Sequence, residues 1–79
     1  MKKQIIVIRS KKGMLYAIDK YVHDNENKRF KFVNLIDDKT NKKYNLNKLD
    51  EGIFEVTFNS YKDDDNNITL FGVTKVKEL

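Results

Sequence analysis

The segment Phe54-Glu55-Val56-Thr57-Phe58-Asn59 constrains this chain most, because apolar side chains at every second residue give a strand one face for a core and one for solvent. Ile68-Thr69-Leu70 resumes that period. Gly72 then interrupts the phase before Val73 and Val76, as a glycine does at a bulge or a close backbone approach. Between the two runs, Asp63, Asp64, Asp65, Asn66 and Asn67 carry short polar side chains that favour turns and tolerate left-handed backbone. Residues 54–79 are therefore predicted as two strands joined by a polar turn. A long 3.6-residue apolar period occurs nowhere, which excludes a helix bundle or coiled coil.

The rest of the chain reads as strands laid beside this pair. Gln4 to Arg9 holds four consecutive β-branched residues, and Ser10-Lys11-Lys12-Gly13 offers a turn with a glycine available for positive φ. Met14 to Val22 is predicted as a second strand that bulges or bends, since neither of its faces is purely apolar. His23 to Asn27 is a loop. Lys28 to Ile36 forms the third strand with Phe30 and Phe32 on one face, and these two join Phe54 and Phe58 in the expected core. Asp37 to Lys42 turns the chain into a short strand at Lys43-Tyr44-Asn45-Leu46, and Asn47 to Gly52 is predicted to hold a single helical turn. The expectation is an all-β single domain over 1–79, a five- to six-stranded antiparallel sheet closed into a small barrel to remove its edges, with at most one short helical turn near 47–51.

Seventy-nine residues suffice for one small core. The chain has no cysteine, so disulfides, thiolate nucleophiles and cysteine zinc sites are excluded and a reducing, cytoplasmic location is expected. Its first apolar run, Ile5 to Ile8, is shorter than the ~7–15 residues of a signal-peptide core, and no run approaches the ~20 a membrane helix needs. Charge is split along the chain: residues 1–48 hold 13 Lys and Arg against 5 Asp and Glu, whereas residues 49–79 hold 3 against 7. A basic face and an acidic face are possible if the halves occupy different sides.

Catalysis is hard to build from this inventory. His23 is the single histidine and has no nucleophile or second ligand beside it in sequence. Asp37 and Asp38 are adjacent and point different ways on a strand or turn. Asp63, Asp65 and Asn67 have the spacing that opens a calcium loop, but Ile68 stands where its glycine belongs and Thr74 where its bidentate glutamate belongs. Neither an enzyme nor a cofactor or metal is expected.

What remains is the interleaving of rings with cations in Lys20-Tyr21, Arg29-Phe30-Lys31-Phe32, Lys42-Lys43-Tyr44 and Tyr61-Lys62. Single-stranded nucleic acid binds such surfaces, because bases stack on exposed rings while cations neutralise phosphates. The candidate contacts are Lys20, Tyr21, Arg29, Lys31, Phe32, Lys42, Lys43 and Tyr44, with Tyr21, Tyr44 and Phe32 as the stacking rings.

From Met14 onward the order of elements resembles the OB-fold. A long strand is followed by one ending at Leu35-Ile36-Asp37-Asp38, a short strand at Tyr44 and Leu46, a Leu49-Asp50-Glu51-Gly52 connection, the strand Phe54-Val56-Phe58, and a last strand running to Leu79. That resemblance implies a non-catalytic domain for single-stranded DNA or RNA; an SH3-like barrel is the alternative architecture. The alternative function is an inhibitor or interaction protein, of the kind encoded by phages and mobile elements, that occludes a protein partner. Its surface would be the acids Asp50, Glu51, Glu55 and Asp63 to Asp65, or an edge at Ile5 to Ile8, which could also pair two copies as a homodimer.

Overall fold

In the computed structural model, which describes residues Met1–Leu79, seven strands form: β1 (Lys2–Arg9), β2 (Leu15–Asp19), β3 (Phe32–Asp37), β4 (Gly52–Thr57), β5 (Ser60–Asp63), β6 (Asn67–Val73) and β7 (Lys75–Glu78). Helix α1 (Lys20–Asn25) follows β2, and a 3-10 turn at Leu46–Lys48 precedes β4. The strands make one sheet in the order β5-β6-β3-β2-β1-β4-β7. Every neighbouring pair is antiparallel except β3 with β6, which run parallel.

The β-branched run suits β1 to the interior of this sheet. It pairs with β2 from Ile5–Asp19 to Arg9–Leu15 and with β4 from Lys2–Thr57 to Val7–Gly52. Both its backbone edges are therefore occupied, and the edge imagined at Ile5 to Ile8 is not free. The β1–β2 turn forms as expected: Gly13 takes φ 84° and donates its N–H to the Ser10 carbonyl at 2.9 Å. Period two then sets the burial. Ile5, Val7, Ala17, Val33, Leu35, Phe54, Val56, Ile68, Leu70 and Val73 point inward with Phe58 to form the core.

Two pairs of strands are nearly continuous. Only Phe58 and Asn59 separate β4 from β5, and Thr74 separates β6 from β7, which is why seven strands appear where five or six were expected. The bend at Asn59 is fitted against Gly72. A Cβ on Gly72 would lie 2.9 Å from the Asn59 Cβ, and Gly72 has φ 66°, so side chains are excluded there by both space and backbone. Around the bend, Phe58 N–H donates to the Met1 carbonyl and Asn59 N–H to the Phe71 carbonyl, each at 2.9 Å. The chain thus passes from the β1 side of the sheet to the β6 side.

Helix α1 corrects the expected strand through Val22, the loop at 23–27 and the limit of one helical turn. Asp19 stops β2 by capping the helix, its carboxylate accepting from the Val22 N–H at 3.2 Å. The same carboxylate is buried and ion-paired with Lys3 at 2.8 Å, so both demands of the buried charge are met. Lys20 and Asp24 add an ion pair across one helical turn. Val22 is the helix's one buried residue, so the segment carries no apolar stripe.

Three further expectations change. The strand at Lys43–Leu46 reduces to an isolated bridge between Ile36 and Lys43. The helical turn near 47–51 lies at Leu46–Lys48, where the Asn45 side chain accepts from the Asn47 N–H. Phe30 and Phe32 are not core residues: they are 50% and 38% exposed, because Val33 and Leu35 take the inward phase of β3. No helix is long and apolar enough to cross a membrane.

Candidate functional site

The phase opposite the core carries a row that is apolar from Ile53 to Phe32, with Ile18 at its centre fully buried, and that ends at the amide of Asn67. Register places Ile53 beside Ile6, Ile6 beside Ile18, Ile18 beside Phe32 and Phe32 beside Asn67, so the row crosses β4, β1, β2, β3 and β6. A second row places Ile8 beside Tyr16 on β1 and β2, and Asn34 beside Thr69 and then Lys62 on β3, β6 and β5. Tyr16 and Phe32, 37% and 38% exposed, meet edge to face with ring centroids 6.0 Å apart. Phe71, outward on β6, is exposed as well.

Between the two rows' halves the sheet opens. Ile18–Phe32 is the single register pair of β2 with β3, extended by an Asp19 N–H bond to the Lys31 carbonyl at 2.8 Å. Past Phe32 the free edge of β3 is taken by the following connection: Tyr44 N–H donates to the Leu35 carbonyl at 2.8 Å, and Asp37 N–H to the Lys42 carbonyl at 2.9 Å. This segment wedges β2 away from β3. The result is a cleft of about 290 Å³, with Tyr16, Phe32, Asn34, Asn67, Lys43 and Leu46 among its walls. A neighbouring cleft of about 480 Å³ shares Leu15, Lys43 and Leu46 with it and continues past Tyr44 to Gly13 and Met14. Together they form a groove from the Tyr16–Phe32 pair to the β1–β2 turn, with Lys43 at the junction.

The eight residues singled out from sequence fall into three places. Phe32, Lys43 and Tyr44 line the groove. Exposed Lys42 adjoins it in sequence, and neither Lys42 nor Lys43 enters an ion pair, leaving both free to meet an anion. Tyr44 is half-buried against the core, with the Lys48 ammonium 5.9 Å from its ring centre, so it walls the groove and presents only part of its face. Lys20 and Tyr21 lie on α1 and line a separate cleft with Lys2, Lys3 and Gln4. There Tyr21 is 70% exposed, while Lys20 is bound to Asp24. Arg29 and Lys31 lie beside the acidic turn: Lys31 pairs with Asp63, and Arg29 pairs with Glu26 at 3.0 Å and donates to the Asp65 carbonyl. Those two cations are engaged within the fold.

Lys20 and then His23 hold the Asp24 carboxyl below its ordinary value by hydrogen bonding to its ionised form. The acids of the alternative surface are also engaged in part: Asp50 and Glu51 face Arg9, Glu55 faces Lys2, and Asp63 faces Lys31.

Tyr16, Asn34 and Asn67 belong to the groove but not to the residues chosen from sequence. The signal that could have found them is phase. Once Ala17, Val33 and Ile68 are assigned inward, their neighbours Tyr16, Asn34 and Asn67 must point outward. Comparison with protein-family models, curated proteins and solved structures finds no match for this chain.

Proposed function

We propose that this chain is a non-catalytic, OB-like barrel that binds single-stranded nucleic acid. Counting β4 with β5 as one bent strand, the sheet order returns on itself: β1 meets β4, and β5, the continuation of β4, meets β6. A five-stranded, partly open barrel with its ligand face on the second and third strands is the OB arrangement, and here that face carries Tyr16 and Phe32. The SH3-like alternative does not single out that face.

The observation that carries the function is the pairing of these exposed rings with a groove whose lysines are free of ion pairs. Rings accept bases of any sequence at about 1–3 kcal/mol each, and Lys42 and Lys43 supply the countercharge for phosphates. The binding residues of this reading are Tyr16, Phe32, Lys42, Lys43 and Tyr44. Lys20 and Tyr21 would reach only a strand long enough to extend over α1.

Fluorescence anisotropy of a labelled strand of ~20 nucleotides, titrated beside a duplex at two salt concentrations, tests the reading. Micromolar or tighter binding that favours the single strand and weakens with salt is expected. Equal binding to the duplex, or none at low salt, overturns it and directs the search to a protein partner.

A further inference from the structure

The open seam between β2 and β3 is unexplained by stacking alone. A ring pair on a flat sheet would stack bases equally well if β2 and β3 were fully paired. Instead the Lys42–Tyr44 segment holds them apart and leaves a recess of about 290 Å³ beside the rings. That volume lies at the lower limit of the ~300–1,000 Å³ typical of small-molecule sites. It is large enough for one planar heterocycle.

Two carboxamides face this recess. Asn34 on β3 and Asn67 on β6 are both outward and lie on a diagonal, since Phe32 registers with Asn67 and Asn34 with Thr69. Neither side chain hydrogen-bonds within the chain, in contrast to Asn25, which donates to the Tyr21 carbonyl, Asn45, which accepts from the Asn47 N–H, and Asn59, which donates to the Asp38 carboxylate. A carboxamide offers a donor and an acceptor side by side, which matches the adjacent donor and acceptor on a base edge. Half-buried Leu15 and Leu46, with the Tyr16 and Phe32 rings, supply apolar surface beside the recess, and exposed Lys43 stands where a flanking phosphate would leave.

We propose that the seam seats a single unstacked nucleobase and reads its edge through Asn34 and Asn67, making an otherwise sequence-tolerant surface base-selective. This rests on the single-strand reading above. The site's ligand class is the nucleobase of a single-stranded nucleic acid, and the strand separation that creates it is built into the fold by the Lys42–Tyr44 bridge.

The test has two arms. In the first, anisotropy compares labelled dA20, dC20 and dT20 with the parent protein and with the variants Asn34→Ala and Asn67→Ala; neither amide supports the fold, so both variants should remain folded. A spread of about fivefold or more among the three strands is expected for the parent, collapsing to within about twofold in the variants while salt dependence persists. In the second, nucleoside monophosphates are titrated into labelled protein and amide shifts are followed by NMR. Movement concentrated at Leu15 to Ala17, Val33, Asn34 and Leu46 is expected. Strands that bind with a spread untouched by either variant, or shifts that centre elsewhere, overturn the seam pocket and leave the single-strand reading standing. Nucleotide shifts at the seam without strand binding support the pocket and retire that reading. Absence of both overturns the two together.

Discussion

The two sides of β2 differ in how completely they are joined. Toward β1 the strand is zipped along its length, and toward β3 it touches at Ile18–Phe32 and then diverges. A short turn through Gly13 makes the first ladder, whereas the second must bridge a helix and a loop in which Asn27 and Lys28 adopt left-handed backbone. The comparison teaches that this sheet closes one side of β2 and leaves a recess on the other. Where β1 is paired on both edges, Ile5 and Val7 are buried. Along the seam Tyr16, Phe32, Asn67 and Lys43 are aromatic, amide and basic, and they are exposed, although Ile18 between them is buried.

Ile5→Ala should produce the largest effect. Its side chain is fully buried in the zipped half, so about 3 kcal/mol of unfolding free energy should be lost in a urea titration. Tyr16→Ala, in the open half, should cost under about 1 kcal/mol; equal losses at the two positions would break the comparison. Asp19→Ala comes next. It removes the α1 cap and strands the Lys3 ammonium, so a loss of about 2–3 kcal/mol is expected, while Asp19→Asn retains an acceptor for the cap and should lose less.

Binding should invert that order. Phe32→Ala is expected to weaken single-strand affinity about tenfold at any salt while the circular-dichroism melt moves little, since the residue is 38% exposed and outside the core. Lys43→Ala should weaken affinity a few-fold and lower the salt slope by about 0.7, the share of one phosphate contact on a single strand. A Phe32 variant that melts early but binds normally would place the ring in the zipped half after all.

The smallest effect concerns α1. The Asp24 carboxyl titrates below its ordinary value when folded, so its contribution to stability is present above the unfolded value and is lost as pH falls through the folded one. Asp24→Asn should therefore lower the melting temperature slightly at neutral pH and leave it unchanged in strong acid, below both values. As the pair is on the surface, salt should erase the difference.

Much of the zipped half is legible in the sequence. Alternation in Phe54-Val56-Phe58 and Ile68-Leu70 fixes the inward phase, and Gly72, read as a bulge or a close backbone approach, lies where the β3–β6 register shifts and has the Asn59 side chain against it. The open half is far less legible. Tyr21 and Val22 favour strand by propensity, and the helix that overrides them depends on Asp19 serving at once as cap and as partner to Lys3, sixteen positions earlier. Phe30 and Phe32 look like core residues by composition, yet phase is decided by the aliphatic pair Val33 and Leu35. Lys43 and Tyr44 read as a strand of their own, because nothing local announces that they bond to β3 in place of β2.

The parallel pairing of β3 with β6 has a consequence for how the chain reaches this state. Phe32 and Asn67 are neighbours in register although β4 and β5 lie between them in the chain. Ring closure over that span carries an entropic cost before any contact rewards it. On contact-order grounds the local β1–β2 hairpin is expected to close before β6 docks onto β3, with folding expected in the range of milliseconds to seconds. A protease should accordingly cut first at the exposed acidic turn before β6 and last in β1, which is paired on both edges.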